Sequence, residues 1–177
     1  MDQAEIHAII EEAMRLRGWI ANSYAQIEFL LGDLIGRCRE FPEYAPHAQT
    51  VTHSATRRIK KVRAMLALGG PLEPFAADLG SLMDAFEQND EIRNLMAHGF
   101  CTFHYTPTGD AGLMFRKFDR DAANVADDDF ALIQRTFRLI DLQYHREQFV
   151  AQADEALRLF GAIHYAFGWS DLDPVEM

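Results

Sequence analysis

The chain is poor in the residues and patterns that mark whole classes of protein. It has two cysteines, Cys38 and Cys101, far apart and without a C-x-x-C spacing. A cysteine-rich zinc site is excluded, and two reduced thiols are the expectation, which suits a cytoplasmic setting. No apolar run approaches the roughly 18 residues that a membrane span requires. The opening Met1-Asp2-Gln3-Ala4-Glu5 is acidic and lacks the basic and apolar regions of a signal peptide. Nothing in it directs the chain out of the cytoplasm. There is no Gly- or Ser-rich linker, no repeat and no low-complexity tract. G-x-S-x-G, a phosphate-binding loop and a dinucleotide fingerprint are missing, which leaves serine hydrolase, NTPase and dehydrogenase readings without support. No cofactor is expected. Positive charge is also scarce: 17 Lys and Arg face 27 Asp and Glu, a formal net charge of -10. Phosphates are repelled by such a surface overall, so a tight, non-specific DNA binder is disfavoured, although a local basic patch can still hold a short RNA.

What the chain does have is hydrophobic content, 49% over 177 residues, enough for one domain covering 1–177. Apolar residues recur at helical spacing from about Ala4 to Arg39, with a break expected at Gly18. Phe41-Pro42 ends that helix. A second runs from about Thr50 to Leu68 and stops at Gly69-Gly70-Pro71. A third begins near Pro74 and ends at Gly99, placed as the residue after a C-cap. Alternation of Cys101, Phe103 and Tyr105 with Thr102, His104 and Thr106, a turn-rich stretch at 106–112, and strand-like Leu113–Phe118 together predict a small β-hairpin at about 100–118. Arg135 to Ile140 is read as a further short strand. Asp141 is the expected N-cap of a long final helix, and the acidic tail from about 171 to 177 is expected to be disordered. The fold class is mainly α: a bundle of four or five helices with a hairpin inserted before the last one.

The third helix carries the chemistry. Phe75, Leu79, Leu82, Met83 and Phe86 share one arc of about 100°. The same phase, continued, meets Asp90, Arg93, Asn94 and Ala97, with His98 at the edge. Either the helix breaks near Gln88-Asn89-Asp90 and restarts on Ile92, Leu95 and Met96, or its inward face turns polar where it lines a cleft or a subunit interface. Asp90, Asn94 and His98 stack at i, i+4, i+8, and Asp90 can pair with Arg93. Arg93 and His98 lie about 140° apart on a regular helix. In the plainer reading Arg93 pairs with Asp90 or Glu28, and His98 caps the last carbonyls of its helix.

Arg93-Asn94-Leu95-Met96-Ala97-His98-Gly99 resembles the RNA-cleaving motif of the HEPN superfamily: Arg, a polar residue, three more, then His near a helix end in an all-helical domain. The resemblance implies metal-independent RNA cleavage in a symmetric homodimer whose two motifs face each other. A ribose 2′-OH attacks the adjacent phosphate. One His98 takes the proton and the other protonates the leaving oxygen, roles that suit imidazole. Arg93 holds the phosphate and Asn94 orients water, substrate or His98. It further implies an RNA or nucleotide ligand, a setting such as a toxin–antitoxin or defence module with an antitoxin as partner, and, in family members that have lost catalysis, a binding module for a nucleotide, an RNA or another protein.

Two further features carry charge. Glu28 sits within the apolar stripe of the first helix, and a carboxylate there needs a partner: either Arg93 or His98, which it would orient, or solvent at a wide helix edge. Arg57, Arg58, Lys60, Lys61 and Arg63 are the one dense basic cluster, read either as an RNA-steering patch or as a solvated helix face. His53, His104, His145 and His164 lack metal-ligand spacing, and His164 reads as a core histidine. Asp127-Asp128-Asp129 lacks the Gly and Glu of a calcium loop.

Overall fold

The structure, a computed structural model, describes residues 2–106, 111–119 and 131–169. Six α-helices and three strands occur among them: α1 (Gln3–Arg37), α2 (Ala45–Ala48), α3 (Ala55–Ala67), α4 (Ala76–Gln88), α5 (Asp90–His98), β1 (Phe100–Tyr105), β2 (Ala111–Asp119), β3 (Ala131–Arg138) and α6 (Leu139–Phe167). None of the helices is long and apolar enough to cross a membrane. The acidic tail and Asp127-Asp128-Asp129 lie outside the described residues.

The chain divides into two compact units. The first comprises Met1–Tyr24 and Asn89–Val150, the second Ala25–Gln88 and Ala151–Met177. Helices α1 and α6 each run through both.

In the first unit, α1 opens on a reciprocal capping box that the sequence reading missed. The Glu5 amide donates to Asp2 Oδ1 at 2.9 Å and the Asp2 amide to Glu5 Oε2 at 2.8 Å. The helix does not break at Gly18, where open space surrounds the missing Cβ; an isolated helical glycine costs only about 1 kcal/mol against alanine, too little to end so long an apolar row. Ala13, Leu16, Ile20 and Tyr24 are buried along that row, as are Leu95 and Met96 of α5, Leu113 and Phe115 of β2, and Leu142 and Phe149 of α6. The Tyr24 and Phe149 rings stand 4.6 Å apart between centroids.

The sheet is antiparallel in the order β1-β2-β3. The expected hairpin is therefore two thirds of the element. Its third strand begins four residues before the Arg135 expected from sequence and ends at Arg138, where α6 takes over. The register pairs Phe100 with Arg116, Phe103 with Leu113, Phe115 with Arg135 and Phe118 with Leu132. Since paired residues share a face, Cys101, Phe103, Leu113, Phe115 and Phe137 lie on one side and Phe100, Arg116, Phe118 and Leu132 on the other. Cys101 is half-buried, and burial raises its thiol above the ordinary range.

The second unit packs Ile27, Leu31, Leu34 and Ile35 of α1 with Ile59, Val62 and Met65 of α3, Leu79, Leu82, Met83 and Phe86 of α4, and Phe160 and Ile163 of α6, all buried. Helix α3 starts at Ala55, five residues later than expected; Ser54 before it is extended, at ψ 125°. Tyr44 is fully buried. Its hydroxyl donates to the Gly69 carbonyl at 2.5 Å and accepts from the Leu72 amide at 3.0 Å, which ties the turn after α3 to the turn before α2. Cys38 is also fully buried, and its thiol is pushed up to about 12 by the loss of hydration.

Candidate functional site

The helix expected over 74–99 is two helices. Asn89, at φ −105° and ψ 11°, separates α4 from α5. This break removes the phase conflict seen in the sequence. After it, α5 buries Leu95 and Met96, and the polar residues Asp90, Arg93 and Asn94 fall on the half-buried flank. The inward-facing polar stripe is the alternative that the structure discards.

Asp90 is the hub of that flank. Its Oδ1 accepts from Arg93 Nη2 at 2.5 Å and its Oδ2 from Asn94 Nδ2 at 2.8 Å. The Arg93 side chain is 15% exposed and that of Asp90 44%. One carboxylate thus fixes the guanidinium and the amide as a single polar clamp on one turn of helix.

His98 stands apart from the clamp. It is exposed, in the last turn of α5. It does not serve as the helix's C-terminal cap. The Leu95 carbonyl takes the Gly99 amide at 2.8 Å, and the Met96 carbonyl takes Nε and Nη2 of Arg17 at 3.1 and 2.9 Å. The Arg17 guanidinium, 5.4 Å from the Phe115 ring centroid, is the cation at this helix end. Gly99 itself is extended, at φ −72° and ψ 137°, so the left-handed conformation expected of it is not what selects glycine. A Cβ there would lie 2.5 Å from the Leu95 carbonyl oxygen and 3.2 Å from Phe115. Close approach of backbone and ring excludes any side chain.

The imidazole opens onto a groove of about 660 Å³ lined by His98, Phe100, Arg116, Lys117, Phe118 and Leu132. Sequence reasoning missed every residue of it except His98. Its signal was parity: Phe100 and Phe118 alternate out of step with Phe103 and Phe115, and only the strand register reveals that they meet on one face.

Glu28 belongs to the second unit. It is half-buried, and its main-chain carbonyl accepts from Arg58 Nη1 at 2.6 Å. The basic cluster of α3 is largely committed to local contacts. Arg58 also donates to the Thr52 carbonyl at 2.6 Å, Lys61 bonds the carbonyl and hydroxyl of Thr50, and Arg63 reaches Asp84 and Glu87 at 2.6 and 2.8 Å. Arg57 and Lys60 are exposed. His164, expected to be a core histidine, is half-buried, and its Nε2 lies 3.0 Å from Asp33 Oδ2. Among the described residues no group of His, Cys, Asp and Glu is arranged to hold a metal ion.

Comparison with protein-family models, with curated proteins and with solved structures gives no match to this chain.

Proposed function

We propose that the chain is a metal-independent endoribonuclease of the HEPN type, working as a homodimer with a composite site. The observation that carries the reading is the accessible His98 at the end of α5, on the wall of a groove that also holds Arg116 and Lys117. In the proposed reaction one His98 removes the proton of a ribose 2′-OH. The oxygen attacks the adjacent phosphorus, the bond to the 5′-oxygen breaks, and a second His98 protonates that oxygen as it leaves. The products are a 2′,3′-cyclic phosphate and a 5′-hydroxyl. Geometry makes the second copy a requirement of the reading. Five residues of helix separate Arg93 from His98 by about 140°, so a phosphate at His98 is served by the Arg93 of a facing chain. Asn94, held by Asp90, orients water, substrate or His98.

The test is cleavage of a labelled single-stranded RNA in EDTA, with product ends identified by mass spectrometry. Loss of a general acid–base group lowers the rate about 10²–10⁴-fold, and His98→Ala is expected to do so; Arg93→Lys, which keeps the charge but not the forked donor geometry, is expected to lower it less. Cleavage unchanged in both variants would rule the mechanism out.

A second reading is favoured by one observation, the small exposure of Arg93 and its short bond to Asp90. There the clamp is structural, and the chain is a non-catalytic helical module that binds RNA or a nucleotide beside it. A preparation that never cleaves RNA yet is stabilised by nucleotide would select that reading.

A further inference from the structure

We infer that the outward face of the three-stranded sheet is a stacking platform for the bases of single-stranded RNA. The inference rests on the RNA-directed reading above and adds to it the surface that holds the substrate. Four side chains form one strip on that face. Phe100 is opposite Arg116, and Phe118 is opposite Leu132. Arg116 and Phe118 are two residues apart on β2, so they share a side. The strip is open: Phe100 is 65% exposed, Phe118 66% and Leu132 55%. Leaving three large apolar side chains together in water is costly unless something covers them.

The charge chosen for this place says what covers it. The chain carries a formal -10, yet the groove is lined by Arg116, Lys117 and His98, with no carboxylate among its described lining residues. The Arg116 guanidinium lies 5.4 Å from the Phe100 centroid, spread over the ring. Planar aromatic and guanidinium groups fit a ligand with flat faces and a negatively charged backbone. Unpaired nucleobases stack on such rings while the cations meet the phosphates. Phe100 and Phe118 occupy diagonal positions, where Cβ atoms are separated by about 7–8 Å or somewhat less, which lets the two rings serve successive splayed bases. Bases held on the strip would carry the strand past His98.

Binding is tested apart from cleavage with a fluorescent 2′-O-methyl octanucleotide, whose blocked 2′-oxygen cannot attack. Stacking on one ring contributes about 1–3 kcal/mol, so Phe100→Ala and Phe118→Ala are each expected to weaken its Kd about 5- to 150-fold. Tyr165→Ala, which removes a ring 90% exposed elsewhere on the chain, is expected to leave it unchanged. Arg116→Gln is expected to reduce the slope of log K against log salt by about 0.7, and it carries the test should an alanine variant lose its thermal transition. Wild-type affinity in both Phe variants, or no binding by the wild type, would overturn the platform. So would self-association that Phe118→Ala abolishes without any RNA binding, for then a second copy covers the strip. If the oligonucleotide binds through Phe100 and Phe118 while wild-type protein leaves RNA uncut, the platform stands and the nuclease reading falls. If His98→Ala abolishes cleavage and Phe118→Ala binds normally, the reverse holds.

Discussion

Tyr44 shows how much one hydroxyl can hold. It is fully enclosed, donates to Gly69 and accepts from Leu72. Tyr44→Phe leaves a carbonyl and an amide without that partner, and a cost of about 1–3 kcal/mol follows, to be read as a shift in urea midpoint. His145 makes a different prediction. Its ring packs against Phe137 and Phe149, and burial pushes its pKa below the ordinary histidine range, an effect that nearby Asp141 opposes. Between that lowered value and the unfolded value near 6.5, the unfolded chain binds more protons than the folded one. The contribution is therefore complete above about pH 6.5 and is lost as pH falls through the folded value. The melting temperature should drop further between pH 7.5 and pH 5 in the wild type than in His145→Gln; equal drops would refute the assignment. At this scale the sequence was readable where partners are close in the chain. Asp90 with Arg93 follows from helical spacing alone. Arg17 at the end of α5 does not, because 79 residues separate donor from acceptor.

At the scale of elements, glycines divide into those that chain conformation tolerates and those that packing demands. Gly112 in the central strand is of the second kind: a Cβ there would fall 1.9 Å from the Phe137 carbonyl oxygen. Gly112→Ala must push β2 from β3, at about 1–3 kcal/mol for an overpacked site. Gly80→Ala, in open space on α4, is expected to stabilise by up to about 1 kcal/mol. The pair of urea curves should move in opposite directions. The helices were legible because their apolar rows are long and of one period. The change of phase at Asn89 was legible too, though not which of two outcomes it signalled, since that depends on what packs against Leu95 and Met96. The third strand was only half seen, because its exposure does not alternate cleanly along Ala131–Arg138 and it lacks the signature of a strand with one wet face. The strip of Phe100, Arg116, Phe118 and Leu132 depends on register, which no single segment contains.

For the whole molecule, a composite site has a kinetic consequence. If two copies each supply part of it, an excess of His98→Ala protein should suppress wild-type cleavage by forming mixed dimers, and specific activity should fall on dilution. A rate per chain that ignores both would fit a site complete in one copy. The net charge was the global property most directly readable from sequence, and it turns attention to where the few cations are placed rather than to how many there are.

Each compact unit holds a single sulfhydryl: Cys101 in the first and Cys38 in the second. The two therefore form a pair of internal clocks. Under mild denaturant with an alkylating reagent, mass spectrometry of the two peptides times the opening of each half separately. Matching modification rates would mean that the halves open in one cooperative event. A Cys101 whose reaction rises with denaturant above its rate in the native state, while Cys38 stays intact, would mean that the half bearing His98 can loosen while the other remains closed.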